Sequence, residues 1–254
     1  MNEMKNAIIL TMVFVLCALT VQAGGNTNIV VMLGDSTTLC YESKPGCKLT
    51  DFVQSYLAQK DLKARIVNSG VGGDTAKRGF GRLQVAVLVH EPAEVTISFG
   101  LNDTGGSTPD EYRDCMEKIV QSVQTNTHAK ILLITSTPFN NARHALGGAF
   151  RSKGGLDEYM DANFCAAERA LAKKYNFTLC DLHDHFTDLF KKNPKLIDEL
   201  ILPDGVHLTD KGNDVAAQYI VPYIATLLAE PGNNKKNQQE LRQQTDGAVK
   251  QDKK

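Results

Sequence analysis

Five short apolar runs, each followed by a stretch with helical spacing, constrain this chain more than any other feature. The runs are Ile29-Val30-Val31-Met32-Leu33, Ala64-Arg65-Ile66-Val67, residues 94–99, Ile131-Leu132-Leu133-Ile134 and residues 177–182. Runs of this length, rich in branched residues and ended by glycine or polar groups, read as buried strands. Apolar residues recur at helical spacing over 50–60, 76–90, 108–125, 156–175, 186–192 and 209–228. In Thr108-Pro109-Asp110-Glu111 the threonine caps a helix, proline takes its first position and glutamate its third. Thr209 is placed to cap the last helix. Strands alternating with helices pair in parallel, and the helices cover both faces of the sheet. The expectation is therefore an α/β fold with a five-stranded parallel sheet, and loops over 136–155 and 193–208.

The two ends of the chain read differently. Residues 1–6 carry polar and charged groups, residues 7–19 are an apolar run, and Val21-Gln22-Ala23 offers small residues around a cleavage point. That pattern predicts a secretory signal peptide over residues 1–23, and hence a secreted or periplasmic protein. The run is short for a membrane span, so no stable membrane insertion is expected after cleavage. Residues 231–254 are rich in Asn, Gln and Lys with almost nothing to bury, which predicts a disordered tail. Residues 24–230 remain as one domain. With 42% hydrophobic residues in 254, the chain can fill one core of that size. A formal net charge of -1 gives no electrostatic reason to expect nucleic acid as a partner.

Cys40, Cys47, Cys115, Cys165 and Cys180 lie beyond the signal segment. Export permits disulfides, and Pro45-Gly46 turns the chain between Cys40 and Cys47, which makes those two the favoured pair. No Cys/His spacing suggests zinc.

Four blocks fall at strand ends or in the loop before the last helix, where α/β proteins bind ligands. They are Gly34-Asp35-Ser36-Thr37, residues 68–75, Gly100-Leu101-Asn102-Asp103 and Asp204-Gly205-Val206-His207. Together they hold what ester hydrolysis needs. Ser36 supplies a hydroxyl, His207 can take and return its proton, and Asp204 can orient the imidazole. The backbone N–H groups of Ser36 and Gly73 and the amide of Asn102 make a plausible oxyanion hole. Asp35 and Asp103 read as turn residues accepting backbone N–H groups.

These blocks, in this order, resemble those of the SGNH (GDSL-type) hydrolase family over residues 29–224. The resemblance implies a flavodoxin-like three-layer α/β/α sandwich and a serine esterase or acylhydrolase without a cofactor or metal. It matches Ser36 to the nucleophile, Asn102 and a glycine of the second block to oxyanion donors, and Asp204 and His207 to the rest of the triad. The register favours Gly73 over Gly72. Thr37 stands where the family usually has leucine. That variant occurs in carbohydrate acetylesterase branches and points to a polysaccharide or small-molecule ester, with acetyl as the acyl group. A lysophospholipase or thioesterase is the neighbouring reading, and a carbohydrate-binding protein with a dead site is the non-enzymatic one.

Single residues carry bland readings beside these. Ser36 alone reads first as a turn residue, and Pro203-Asp204-Gly205 is strong turn chemistry. Asp181, His183, Asp184 and His185 form a dense cluster compatible with a metal, but more simply a strand end with surface histidines. Phe139, Arg143 and His144, with Phe150 and Arg151, sit in a long loop after the fourth strand and are expected to line a substrate cleft.

Overall fold

A computed structural model describes residues 27–229 of the chain. The signal segment and the polar tail lie outside the described residues. Five parallel strands form one sheet in the order β2-β1-β3-β4-β5. They are β1 (Asn28–Gly34), β2 (Ala64–Gly70), β3 (Glu94–Ser98), β4 (Lys130–Ile134) and β5 (Thr178–Cys180). Strand β1 pairs with β2 on one side and β3 on the other, so the winding reverses direction beside β1. In such sheets the crevice outside the carboxyl ends of the strands at the reversal is where ligands bind.

Alternation along the strands builds two cores. Val31 and Leu33 of β1, Val95 and Ile97 of β3, and Ile131 and Leu133 of β4 face one layer. Val30, Met32, Leu132 and Ile134 face the other. The first layer contains α3 (Ala76–Gly81), α4 (Leu83–Ala86), α6 (Pro109–Asn126) and α8 (Ala166–Tyr175). The second contains α2 (Leu49–Gln59), α9 (Leu182–Lys192) and α11 (Asp210–Ala229). The chain is thus the expected three-layer sandwich. The expected caps also form. Thr108 accepts from the Glu111 N–H while Glu111 accepts from the Thr108 N–H, and Thr209 accepts from the Gly212 N–H.

The differences have local causes. The helix expected over 76–90 is broken into α3, α4 and a 3-10 turn, with Arg82 and Val87 outside helical geometry at the joints. The helix expected over 156–175 is α7 (Leu156–Met160) running into α8 through a π-helical turn at Asp161–Cys165. Within 193–208 the chain forms α10 (Leu196–Leu200) and an antiparallel bridge between Ile201 and Leu208.

The Cys40–Cys47 disulfide is not present, and all five described cysteines are free thiols. The Cys40 thiol turns inward instead. It donates to the Thr37 carbonyl at 2.8 Å and lies 3.5 Å from Asn213 Oδ1. Cys47 stays in the neighbouring turn, where its carbonyl accepts from the Asn213 amide.

Candidate active site

Two remaining short helices carry the site. They are α1 (Ser36–Leu39), directly after β1, and α5 (Leu101–Gly106), after β3. Asp35 caps α1 by accepting from the Thr37 N–H and hydroxyl, each at 2.9 Å. This makes Ser36 the first residue of the helix, where a backbone N–H has no partner inside the helix. The turn is tight because β2 allows it. A Cβ at Gly70 would stand 2.2 Å from the Leu39 nitrogen, so only glycine lets α1 pack there.

Ser36 Oγ lies 2.9 Å from His207 Nε2, and His207 Nδ1 lies 2.7 Å from Asp204 Oδ2. With the Nδ1 proton held by Asp204, Nε2 is free to accept from the Ser36 hydroxyl. The other Asp204 oxygen accepts from the backbone N–H groups of Val206 and His207. Burial would raise the Asp204 carboxyl. The His207 ring and these N–H groups outweigh it and hold the carboxyl below its ordinary value. The turn chemistry of Pro203-Asp204-Gly205 and a triad role are thus compatible, since one oxygen serves each.

Gly73 and Asn102 line the same cleft as the Ser36 hydroxyl. Gly73 has φ +76, a backbone state that glycine reaches at little cost. The Asn102 amide donates one N–H to the Asp74 carbonyl at 2.9 Å, which leaves its second N–H for a ligand. Asp103 accepts from the Ala76 N–H with both oxygens and so ties α5 to the start of α3. Burial pushes the Asp35 and Asp103 carboxyls up to about 6 each, against the hydrogen bonds they accept.

One residue of this frame carries no signal in the sequence. Arg82 donates to the Asp74 carboxylate at 2.6 Å and to the carbonyls of Gly34 and Ser69 at 3.0 and 2.9 Å. It therefore locks the ends of β1 and β2 to the Gly73–Asp74 turn. In the sequence it is an ordinary arginine inside an apparent helix. Only the break in that helix aims it inward.

The long loop after β4 splits in its contributions. Phe139 and His144 line a cleft of about 1010 Å3 with Ser36 and His207. Their rings pack at 4.8 Å. His144 Nδ1 accepts from the Leu146 N–H, so Nε2 carries the proton. Burial lowers the His144 pKa, opposed by Asp204 and assisted by His207. Arg143 turns away to pair with Asp198 at 2.6 Å, and Phe150 is buried against Tyr159. Thr37 is also absent from the cleft lining, and its hydroxyl donates to Asp35.

The Asp181–His185 cluster does not converge on one point. Asp181 caps α9 and pairs with Arg169 at 2.6 Å, while His185 stacks on Tyr219 at 3.8 Å. His183 is buried rather than at the surface, with Nε2 3.2 Å from Asp157 and Nδ1 3.5 Å from Asp161. Cys165 joins Asp161 and His183 within 4.8 Å, but Arg169 already places a cation on Asp161.

The GDSL-like lipase/acylhydrolase family matches residues 32–215 of this sequence. The uncharacterized lipoprotein YqeF of Bacillus subtilis (strain 168) is 28% identical over 208 residues, which is 72% of this chain and 84% of that protein. Thioesterase 1/protease 1/lysophospholipase L1 of Escherichia coli (strain K12) is 24% identical over 218 residues, 84% of this chain and 90% of that protein. Among solved structures, the acetyl xylan esterase AlAXEase superposes with a TM-score of 0.64 at 22% identity, covering 77% of this chain and 99% of that one.

Proposed function

Since the chain belongs to the GDSL-like lipase/acylhydrolase family and is an ester-bond hydrolase, we propose that Ser36, His207 and Asp204 are its catalytic residues and that it releases short acyl groups, acetyl foremost, from a carbohydrate outside the cytoplasm. The observation that carries the site is the unbroken hydrogen-bond chain from Ser36 Oγ through the His207 ring to Asp204.

Ser36 Oγ attacks the ester carbonyl as His207 Nε2 takes its proton. Asp204 keeps the Nδ1 proton in place and stabilises the imidazolium. The negative oxygen that develops is met by the Ser36 N–H, the Gly73 N–H and the free N–H of Asn102, donors already fixed before the reaction. His207 then gives its proton to the leaving alcohol, and the acyl group stays on Ser36. Water enters, loses a proton to His207 and attacks the acyl-enzyme. Collapse of the second intermediate returns the proton to Ser36 Oγ and frees the acid.

The carbohydrate reading is supported by Thr37 in the first block and by the fold shared with an acetyl xylan esterase. Thr37 would act through the shape of the turn, since its hydroxyl is held by Asp35. The E. coli relative supports a thioesterase or lysophospholipase as the second reading. Acetate release from acetylated polysaccharides, compared with hydrolysis of octanoyl esters, separates the two. Ser36→Ala should abolish both reactions, and full activity in that variant would sink the nucleophile assignment.

A further inference from the structure

The cleft carries two cations that the hydrolysis does not use. Lys77 and Arg78 stand on the first turn of α3, both exposed, and both line the cleft with Ser36, Gly73 and His207. Arg78 Nη1 donates to the Gly73 carbonyl at 3.2 Å, which keeps its guanidinium beside the turn that offers the Gly73 N–H. That bond uses one of five N–H donors, so most of the planar fork is left for a ligand. The carboxylates around the site are already engaged. Asp35 is held by Thr37, Asp74 by Arg82 and Asp204 by His207. Glu42 is the one acidic residue in the cleft lining among the described residues. Arg78, whose guanidinium is held at the Gly73 carbonyl, is the better placed of the two for a ligand. Apolar lining comes from other elements, through Leu101, Phe139, Leu146 and Val206.

A cleft so arranged offers an apolar surface and two cations against one carboxylate, with no ion pair to Arg78 among the described residues. A guanidinium matches the two oxygens of a carboxylate or phosphate in geometry as well as charge. We propose that the cleft selects esters that carry an anionic group, a carboxylate or a phosphate, close to the scissile bond, and that Arg78 assisted by Lys77 binds that group. This deepens the serine-esterase reading and rests on it for the position of the scissile bond. The anion can come from an acidic sugar or from a phosphate-bearing head group. The chemistry at Arg78 is the same for both.

The test uses two acetyl esters of nearly the same shape that differ in charge, 3-acetoxybenzoate and 3-acetoxybenzamide. For the full chain with Arg78→Gln and Lys77→Gln combined, kcat/KM on the carboxylate should fall about tenfold further than on the amide, with the extra loss in KM. Rising salt should erode the preference of the unmodified protein. Equal losses on the two esters would overturn the proposal. Binding to the Ser36→Ala protein provides a measurement independent of turnover. By calorimetry it should bind acetylated polygalacturonate more tightly than acetylated xylan if the anion is a uronate. If the anion is a phosphate, it should bind a lysophosphatidylglycerol more tightly than a neutral monoacylglycerol. The preference should vanish when Arg78 and Lys77 are replaced in that background. No preference in either pair overturns the proposal. Anion-selective binding that vanishes with Arg78 and Lys77, without any hydrolysis by the unmodified protein, would sink the esterase reading and with it the selection of esters, and leave only the anion site at Arg78 standing.

Discussion

Two histidine–carboxylate pairs in this molecule look alike on paper and differ in what they can do. His207 meets Asp204 at 2.7 Å and His183 meets Asp157 at 3.2 Å. The difference lies at the second ring nitrogen. In His207 it faces the Ser36 hydroxyl at 2.9 Å, on the wall of an open cleft. In His183 it faces another carboxylate, Asp161, and the ring is buried. A base needs a proton to take and a substrate to work on, and His183 has neither. Its partner is structural. Asp157 Oδ1 also accepts from the Phe139 N–H at 2.8 Å, so this pair anchors the loop that brings Phe139 and His144 to the cleft. The geometry of one pair suits proton transfer to and from Ser36, and the other holds the loop that lines the cleft.

Exchanging substitutions between the pairs gives the largest contrast. His207→Ala should lower kcat by about 10,000-fold or more while leaving the fold intact. His183→Ala should leave kcat within several-fold and lower the unfolding free energy by about 1–3 kcal/mol, as a buried partner is lost. Comparable losses of activity in the two variants would break the distinction. The carboxylates follow the same logic at smaller scale. Asp204→Asn removes the acceptor that fixes the His207 tautomer and should cost about 100- to 10,000-fold in kcat, with KM little changed. Asp157→Asn should instead appear in thermal unfolding. On the oxyanion side, Asn102→Ala should cost about 100- to 1,000-fold in kcat, and a loss confined to KM would remove Asn102 from the transition state.

The smallest effect is one of pH. Burial would lower the His183 pKa, but the hydrogen bond and charge of Asp157, with Asp161 behind it, outweigh burial and raise it. A group with a raised folded-state pKa stabilises fully below its unfolded value, near 6.5, and loses that contribution as pH rises through the folded value. The Tm difference between the unmodified protein and His183→Gln should therefore shrink as pH climbs above about 6.5. A difference that grows with pH would contradict the charged pair.

Much of this was legible in the chain. The helix caps at Thr108 and Thr209 formed as read, because capping depends on residues within one turn. Asp35 and Asp103 do accept backbone N–H groups, as their places in turns suggested. What the sequence hid were features set by distant neighbours. Arg82 looked like part of a continuous helix, yet a break there turns it onto two strand ends. Cys40 and Cys47 looked like partners, yet Asn213 of α11 holds both regions without a disulfide. Arg143 and Thr37 looked available for substrate, yet Asp198 and Asp35 claim them.

By itself the sequence determined the alternation of strands and helices, the ends of several helices and the four blocks at strand ends. Each rests on spacing within a few residues, which the backbone reads locally. Only the tertiary structure decided which acid meets which base. Ser36 and His207 are separated by 171 positions and meet only because the sheet brings its strand ends to one edge, where the loop before α11 returns. His183 also sits beside a carboxylate, but it is buried and its second ring nitrogen faces another carboxylate rather than a hydroxyl.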